Sequence, residues 1–236
     1  ASGFTPRKGT RPTINGVTLA VEQSAPVVYE TNTIAGATRR AYNYQLSGLN
    51  ATWWESTNAM STLKFFNGTS ISTIASPYHF LYDSALAISG NTVAYINYDG
   101  QDYEVYRYSG GTTTRITTNT ADDVNVLIDG STIVWRSRNR TNQNGEIYRN
   151  NGTTTTRITT NNVSEEDVQI SGSFLLWAAS DGNDREIYLN NGTTTQQLTN
   201  NNLEDYSPVL KNNRAAWFEW SNDQENLVFF NGLTTS

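Results

Sequence analysis

Four acidic residues recur at one step of a repeating pattern, and they are the richest chemistry the chain offers. Asp83, Asp123, Glu165 and Asp205 each stand seven positions before the Gly or Asn of an Ile-Ser-Gly-like turn; Gly9 and Ala41 hold the same place in the first two copies. Carboxylates gathered by symmetry around one end of a channel suit a hard cation such as calcium. The same residues also suit a local task, accepting backbone N–H bonds in their own loops. Both readings stand at this point.

His79 is the sole histidine and there is no cysteine, so neither a His/Cys metal cluster nor a triad has a second candidate to draw on. It sits in Ser76-Pro77-Tyr78-His79-Phe80-Leu81-Tyr82-Asp83. Tyr78, His79, Phe80 and Tyr82 together offer an aromatic platform for a sugar or a partner chain, or a plug for one mouth of a channel. Asp99-Gly100-Gln101-Asp102 and Asp181-Gly182-Asn183-Asp184 are reminiscent of calcium loops, but they lack the length and terminal acid of an EF-hand and read as hairpin turns. No G-x-S-x-G, P-loop, G-x-G-x-x-G or sialidase-type Asp box is present, so nothing in the sequence points to catalysis. Asn50, Asn67, Asn139, Asn151, Asn162 and Asn191 fit the N-glycosylation sequon. In three of these the match falls on an Asn-Gly-Thr turn, whose own chemistry produces it.

The elements that must position these residues are copies of one unit. Turn residues Gly16, Gly48, Gly90, Gly130, Gly172 and Asn212 are spaced 32, 42, 40, 42 and 40 apart. Five residues after each comes Val21, Trp53, Tyr95, Trp135, Trp177 or Trp217, and three after each comes Leu19, Ala51, Val93, Ile133, Leu175 or Ala215. Side chains two apart share a strand face. The intervening position is also mostly apolar, so this strand is buried on both faces. Asn-Gly pairs at Asn67, Asn151, Asn191 and Asn231, with Ser109-Gly110 in the third copy, predict tight type I′ hairpins. The Thr runs after them suit exposed outer strands. A period near 40 with four strands per copy predicts an all-β, six-bladed β-propeller in a single domain over 1–236. The blades fall at about 10–36, 42–75, 85–118, 124–160, 167–199 and 207–236.

The pattern I-S-G-x-x-x-x-W…D-G-x-D-x-E-I-Y-x-x-N-G…L-T, which runs through nearly the whole chain, resembles the TolB-like propeller repeats. These occur in bacterial periplasmic proteins and in bacterial and archaeal cell-surface proteins. The chain has Ile-Ser-Gly or Ile-Asp-Gly where the TolB repeat proper has Ser-Pro-Asp-Gly. The resemblance implies the fold; one such scaffold hosts many unrelated activities.

Net charge is −6 with 16 Lys and Arg against 22 Asp and Glu, which disfavours nucleic acid as a partner. The longest apolar run, Phe174 to Ala179, is far short of a membrane span. The small-residue start Ala1-Ser2-Gly3 and the Thr/Asn-rich surface fit an extracellular, periplasmic or cell-surface protein. The last outer strand stops at Leu233-Thr234-Thr235-Ser236, before the apolar residue that the other copies place there. Residues 1–8 carry one large apolar side chain, Phe4, and make a candidate closing strand for that edge, in the same chain or in a neighbour. The expected function is a non-catalytic binding or assembly module serving adhesion, a surface layer or a filament. A glycan-binding propeller is the alternative, and a carbohydrate-active enzyme comes third.

Overall fold

The computed structural model describes residues 13–14, 17–18, 40–56, 61–76, 86–138, 141 and 144–232. Every regular element among them is a strand. The chain falls into two compact units, 1–36 and 37–236. The first is described only by a two-stranded hairpin, β1 (Thr13–Ile14) and β2 (Val17–Thr18), with Ile14 paired to Val17.

The second unit holds five antiparallel sheets in chain order. Sheet one is β3 (Arg40–Ser47), β4 (Asn50–Ser56), β5 (Ser61–Phe66) and β6 (Ile71–Ala75). Sheet two is β7 (Leu86–Ser89), β8 (Thr92–Tyr98), β9 (Tyr103–Ser109) and β10 (Thr112–Arg115). Sheet three is β11 (Asp122–Asp129), β12 (Thr132–Arg138), β13 (Gly145–Asn150) and β14 (Thr155–Arg157). Sheet four is β15 (Glu165–Ser171), β16 (Phe174–Ser180), β17 (Arg185–Asn190) and β18 (Thr195–Gln197). Sheet five has three strands among the described residues: β19 (Glu204–Lys211), β20 (Arg214–Ser221) and β21 (Gln224–Phe230). The first strands of successive sheets touch one another, β3 to β7, β7 to β11, β11 to β15 and β15 to β19.

The second strands carry the core, as the period predicts. Trp53, Tyr95, Trp135, Trp177 and Trp217 are all buried. Three of them stack on a tyrosine of the third strand: Tyr95 on Tyr106, Trp135 on Tyr148 and Trp177 on Tyr188, with planes within 14° of parallel. The alternate faces interlock neighbouring sheets. Leu175 and Trp177 pack with Val134 and Ile147 of sheet three, and Leu176 and Ala178 pack with Ala215 and Trp217 of sheet five.

The turns divide the work differently from the sequence expectation. At the Asn-Gly pairs only the glycine takes a positive φ, 87° at Gly68, 101° at Gly152 and 105° at Gly192. The asparagine instead uses its side chain: Asn151 Oδ1 accepts the N–H groups of Thr153 and Thr154 at 3.0 and 2.9 Å. Two successive positive φ values, the mark of type I′, occur at Gly110 and Gly111. Asn212 does stand in for the turn glycine, at φ 57°. The first strands of sheets one, three, four and five each carry a bulge, and the residue there is left-handed: Asn43, Asn125, Asp167 and Ser207.

Candidate functional site

The recurrent acids lie in the first strands, and three of the four are described. Asp123, Glu165 and Asp205 are fully buried. Asp123 and Asp205 are each held by an asparagine four residues earlier, in the segment that leads into their strand. Asn119 Nδ2 donates to Asp123 at 3.3 Å and Asn201 Nδ2 to Asp205 at 3.5 Å, while each asparagine's Oδ1 accepts the N–H two residues on, from Ala121 and Leu203. Thr117, Thr159 and Thr199 accept the N–H of Val105, Ile147 and Ile187 through Oγ1. Both carboxylate oxygens of Glu165 are buried and receive no hydrogen bond. Burial pushes Asp123 up to about 7 and Asp205 up to about 6, and it raises Glu165. Asp83 lies outside the described residues, as do Tyr78, His79, Phe80 and Tyr82, and Phe4 and Leu233.

The sequons divide. Asn67, Asn151, Asn162 and Asn191 are exposed. Asn50 is half-buried and donates Nδ2 to Gly90 O at 2.9 Å, a contact between sheets one and two. Asn139 is not among the described residues.

Two further features emerge from the structure. The first is the residue before each turn. Ser47 Oγ accepts the Gly90 N–H at 2.8 Å, Ser89 Oγ that of Gly130 at 3.0 Å, Asp129 Oδ2 that of Gly172 at 2.6 Å, and Ser171 Oγ that of Asn212 at 2.8 Å. The Ser or Asp of each Ile-Ser-Gly-like turn is thus a clasp to the following sheet. Lys211 holds this position in sheet five and brings only donors.

The second feature is the far face of sheet five. Phe218 and Trp220 on β20, Leu227 and Phe229 on β21 and Val209 on β19 are exposed. The register aligns them, Phe218 against Leu227 and Ala216 against both Phe229 and Val209. The wall lies beside β21, which has no further strand paired to its outer edge among the described residues. The cleft between sheets four and five, about 290 Å³, is lined by Phe174, Leu189, Phe230, Asn191 and Asn213 among others and carries no titratable side chain.

No family model and no curated protein matches the chain. Solved structures do. A prolyl endopeptidase is similar at TM-score 0.62 and 15% identity, over 82% of this chain and 33% of its own. The propeller domain of the Trilobed protease from Pyrococcus furiosus, described as having an open velcro topology, is similar at TM-score 0.58 and 8% identity, over 82% and 65%. The chain has a β-propeller fold. TolB from Acinetobacter baumannii also overlaps, at TM-score 0.48 and 15% identity, over 78% and 52%. The chain spans less than two thirds of each of these proteins. The five sheets are therefore propeller blades.

Proposed function

We propose that this propeller is a non-catalytic binding and assembly module of the periplasm or cell surface, an adhesion, surface-layer or filament subunit. Its accepting surface is the far face and outer edge of blade five. The observation that carries the reading is the coincidence on one sheet of five exposed apolar side chains, Leu227 at 70% and Phe229 at 65% among them, with an edge strand free of a further partner among the described residues. An edge strand offers N–H and C=O groups to an incoming strand, and an apolar wall beside it supplies the driving force. Apolar patches of this kind mark interaction sites on soluble proteins. The occupant we favour is a second copy of the chain, because a heterologous contact of one face with a different surface propagates head to tail. The repeat register supports six blades, the remaining copy being residues 10–36, of which the hairpin β1–β2 is described; the occupant we favour for the face of blade five is that segment of a neighbouring copy.

Light scattering across a concentration series tests this. The wild-type protein is expected to grow in mass with concentration and to form fibres or sheets under the electron microscope. Phe218→Lys with Phe229→Lys is expected to hold it at monomer mass with an unchanged melting curve. A wild-type protein that stays monomeric at every concentration, with those side chains protected from labelling, assigns the face to closure within one chain and removes the assembly reading.

A further inference from the structure

Two blades carry the same three-carboxylate group, and only one of them carries its own counter-charge. In blade two one oxygen each of Asp99, Asp102 and Glu104 lie within 4.8 Å of one another; in blade four Asp181, Asp184 and Glu186 do the same. Both arise from the Asp-Gly-x-Asp-x-Glu run that joins the second and third strands. The first aspartate closes the turn: Asp99 Oδ1 accepts the N–H of Gln101 at 2.8 Å, and Asp181 Oδ1 that of Asn183 at 2.9 Å. The glutamate then points inward from the third strand, and both Glu104 and Glu186 are fully buried.

Blade two answers this charge with Arg115, at the end of its outer strand. Its guanidinium reaches Asp99 Oδ2 at 2.6 Å and Glu104 Oε1 at 2.5 Å. Blade three has one acid of the set, Glu146, and Arg157 pairs with it at 3.0 Å. The ladders put Arg115 opposite Tyr106, Arg157 opposite Tyr148 and Gln197 opposite Tyr188. Gln197 is thus the residue of blade four in the arginine position, and it is neutral.

No basic side chain among the described residues pairs with Asp181, Asp184 or Glu186. The nearest in sequence, Arg185, is engaged by Glu204 at 2.8 Å and Glu166 at 3.2 Å. Glu186 Oε1 accepts the Asn201 N–H at 2.7 Å, and Asp184 Oδ1 faces Asn183 Nδ2 at 3.3 Å. Glu186 Oε2 and Asp184 Oδ2 are buried and receive no hydrogen bond; Glu104 Oε2 of blade two is in the same position, but its carboxylate has the Arg115 guanidinium on its other oxygen. Burying a carboxylate without a partner is costly, and a folded chain answers it with a pair or a cation.

We propose that Asp181, Asp184 and Glu186 hold a divalent cation, calcium by ligand type, in the place that the Arg115 guanidinium takes in blade two. All the donors are hard oxygens, with no histidine or thiol, which excludes the preferences of zinc and copper. Calcium accepts an irregular carboxylate set completed by water, whereas magnesium demands near-octahedral geometry. With three protein carboxylates the affinity belongs in the range of extracellular modules, on the order of 10⁻⁴ M.

The experiment is calcium titration of the chelator-treated protein, read by melting temperature and by luminescence of terbium as a calcium substitute. The wild type is expected to rise by about 4 °C at ten times Kd, by linkage to the folded state. Gln197→Arg supplies the missing guanidinium; it is expected to melt without calcium where the wild type melts with it, and to lose both the calcium response and the terbium signal. Arg115→Gln is expected to gain a second terbium site in blade two. A wild type indifferent to calcium overturns the proposal. So does a Gln197→Arg protein that answers calcium as the wild type does, since the ion then sits elsewhere, for instance on the recurrent acids of the inner strands.

Discussion

Strands β16 and β20 occupy the same place in adjacent blades, yet their surroundings differ. In β16 both faces are covered: Leu175, Trp177 and Ala179 meet blade three, while Leu176 and Ala178 meet blade five. In β20 Ala215 and Trp217 meet blade four, and the alternate face shows Phe218 and Trp220 to solvent, 37% and 45% exposed. The covered face of blade four uses small residues, Ala178 and Ser180, where the open face of blade five has Phe218 and Trp220. Between two close-packed blades there is no room for large rings at successive positions. An open face has no such limit, and large aromatics exposed on it suit recognition of a partner. Size alone does not make the distinction, since Trp54 stands at the same step of blade one and is fully buried; what sets blade five apart is that Phe218 and Trp220 follow one another on a face left open.

The largest expected effect tests that division. Trp177→Ala is expected to cost about 3–5 kcal/mol in urea unfolding, through lost burial and a residual cavity. Trp220→Ala is expected to cost less than about 0.5 kcal/mol, as for a surface position. Equal costs would mean that the face of blade five is covered in solution.

The buried acids extend the comparison to pH. The folded-state values of Asp123, about 7, and Asp205, about 6, lie above their ordinary value of 3.8 because burial disfavours the charged form. The native state therefore holds these protons more tightly than the unfolded chain. The stability this contributes is complete below pH 3.8 and is lost as pH rises through about 6 to 7. Melting temperature is expected to fall between about pH 4 and pH 7, and Asp123→Asn with Asp205→Asn is expected to flatten that slope. A double variant with the wild-type slope would move the titration to other groups. The same variant also asks whether a cation at these acids contributes, because it should then lose a calcium-dependent rise that Gln197→Arg keeps.

The clasps give a smaller difference. Ser171→Ala leaves the Asn212 N–H without its acceptor and is expected to cost about 1 kcal/mol, whereas Lys211→Ala is expected to be near neutral. Equal effects at the two positions would remove the clasp as a stabilising contact. Smallest of all, Ser207 is the least suited residue at the left-handed bulge that Asn43 and Asn125 occupy elsewhere. Ser207→Asn is expected to raise stability by a few tenths of a kcal/mol, because asparagine tolerates that conformation better. No change would show that the neighbouring Pro208, rather than side-chain type, sets the bend.

The repeat itself was legible because its strongest markers are local: a turn residue, then a buried aromatic five positions on. Asn212 in place of a glycine could be read for the same reason, since asparagine tolerates positive φ. The Asn-Gly turns misled in detail, because the motif names the residues and not which of them bends; an asparagine side chain that accepts two N–H groups relieves its own backbone of that duty. The serine clasps were invisible as contacts. Their partners lie some 40 residues away, at a separation that a repeat pattern disguises as repetition. The exposure of Phe218 and Phe229 is not written in the sequence, because alternation reports a face and not what covers it. Gln197 acquires meaning only beside Arg115 and Arg157, once the ladders show that the three share one register.

The clasps also have a direction. Every copy that has one offers an acceptor before its turn and a donor N–H within it, so each repeat gene segment encodes both halves of a joint. Duplicating such a segment in frame yields a blade that already fits its predecessor and its successor, with no new surface to evolve. Loss of a segment heals in the same way. Lys211 breaks that inheritance: a segment copied after it would present a turn N–H to a residue with nothing to receive it. A change of Lys211 to serine would restore the joint, and with it a contribution of about 1 kcal/mol to the seam with any copy placed after it.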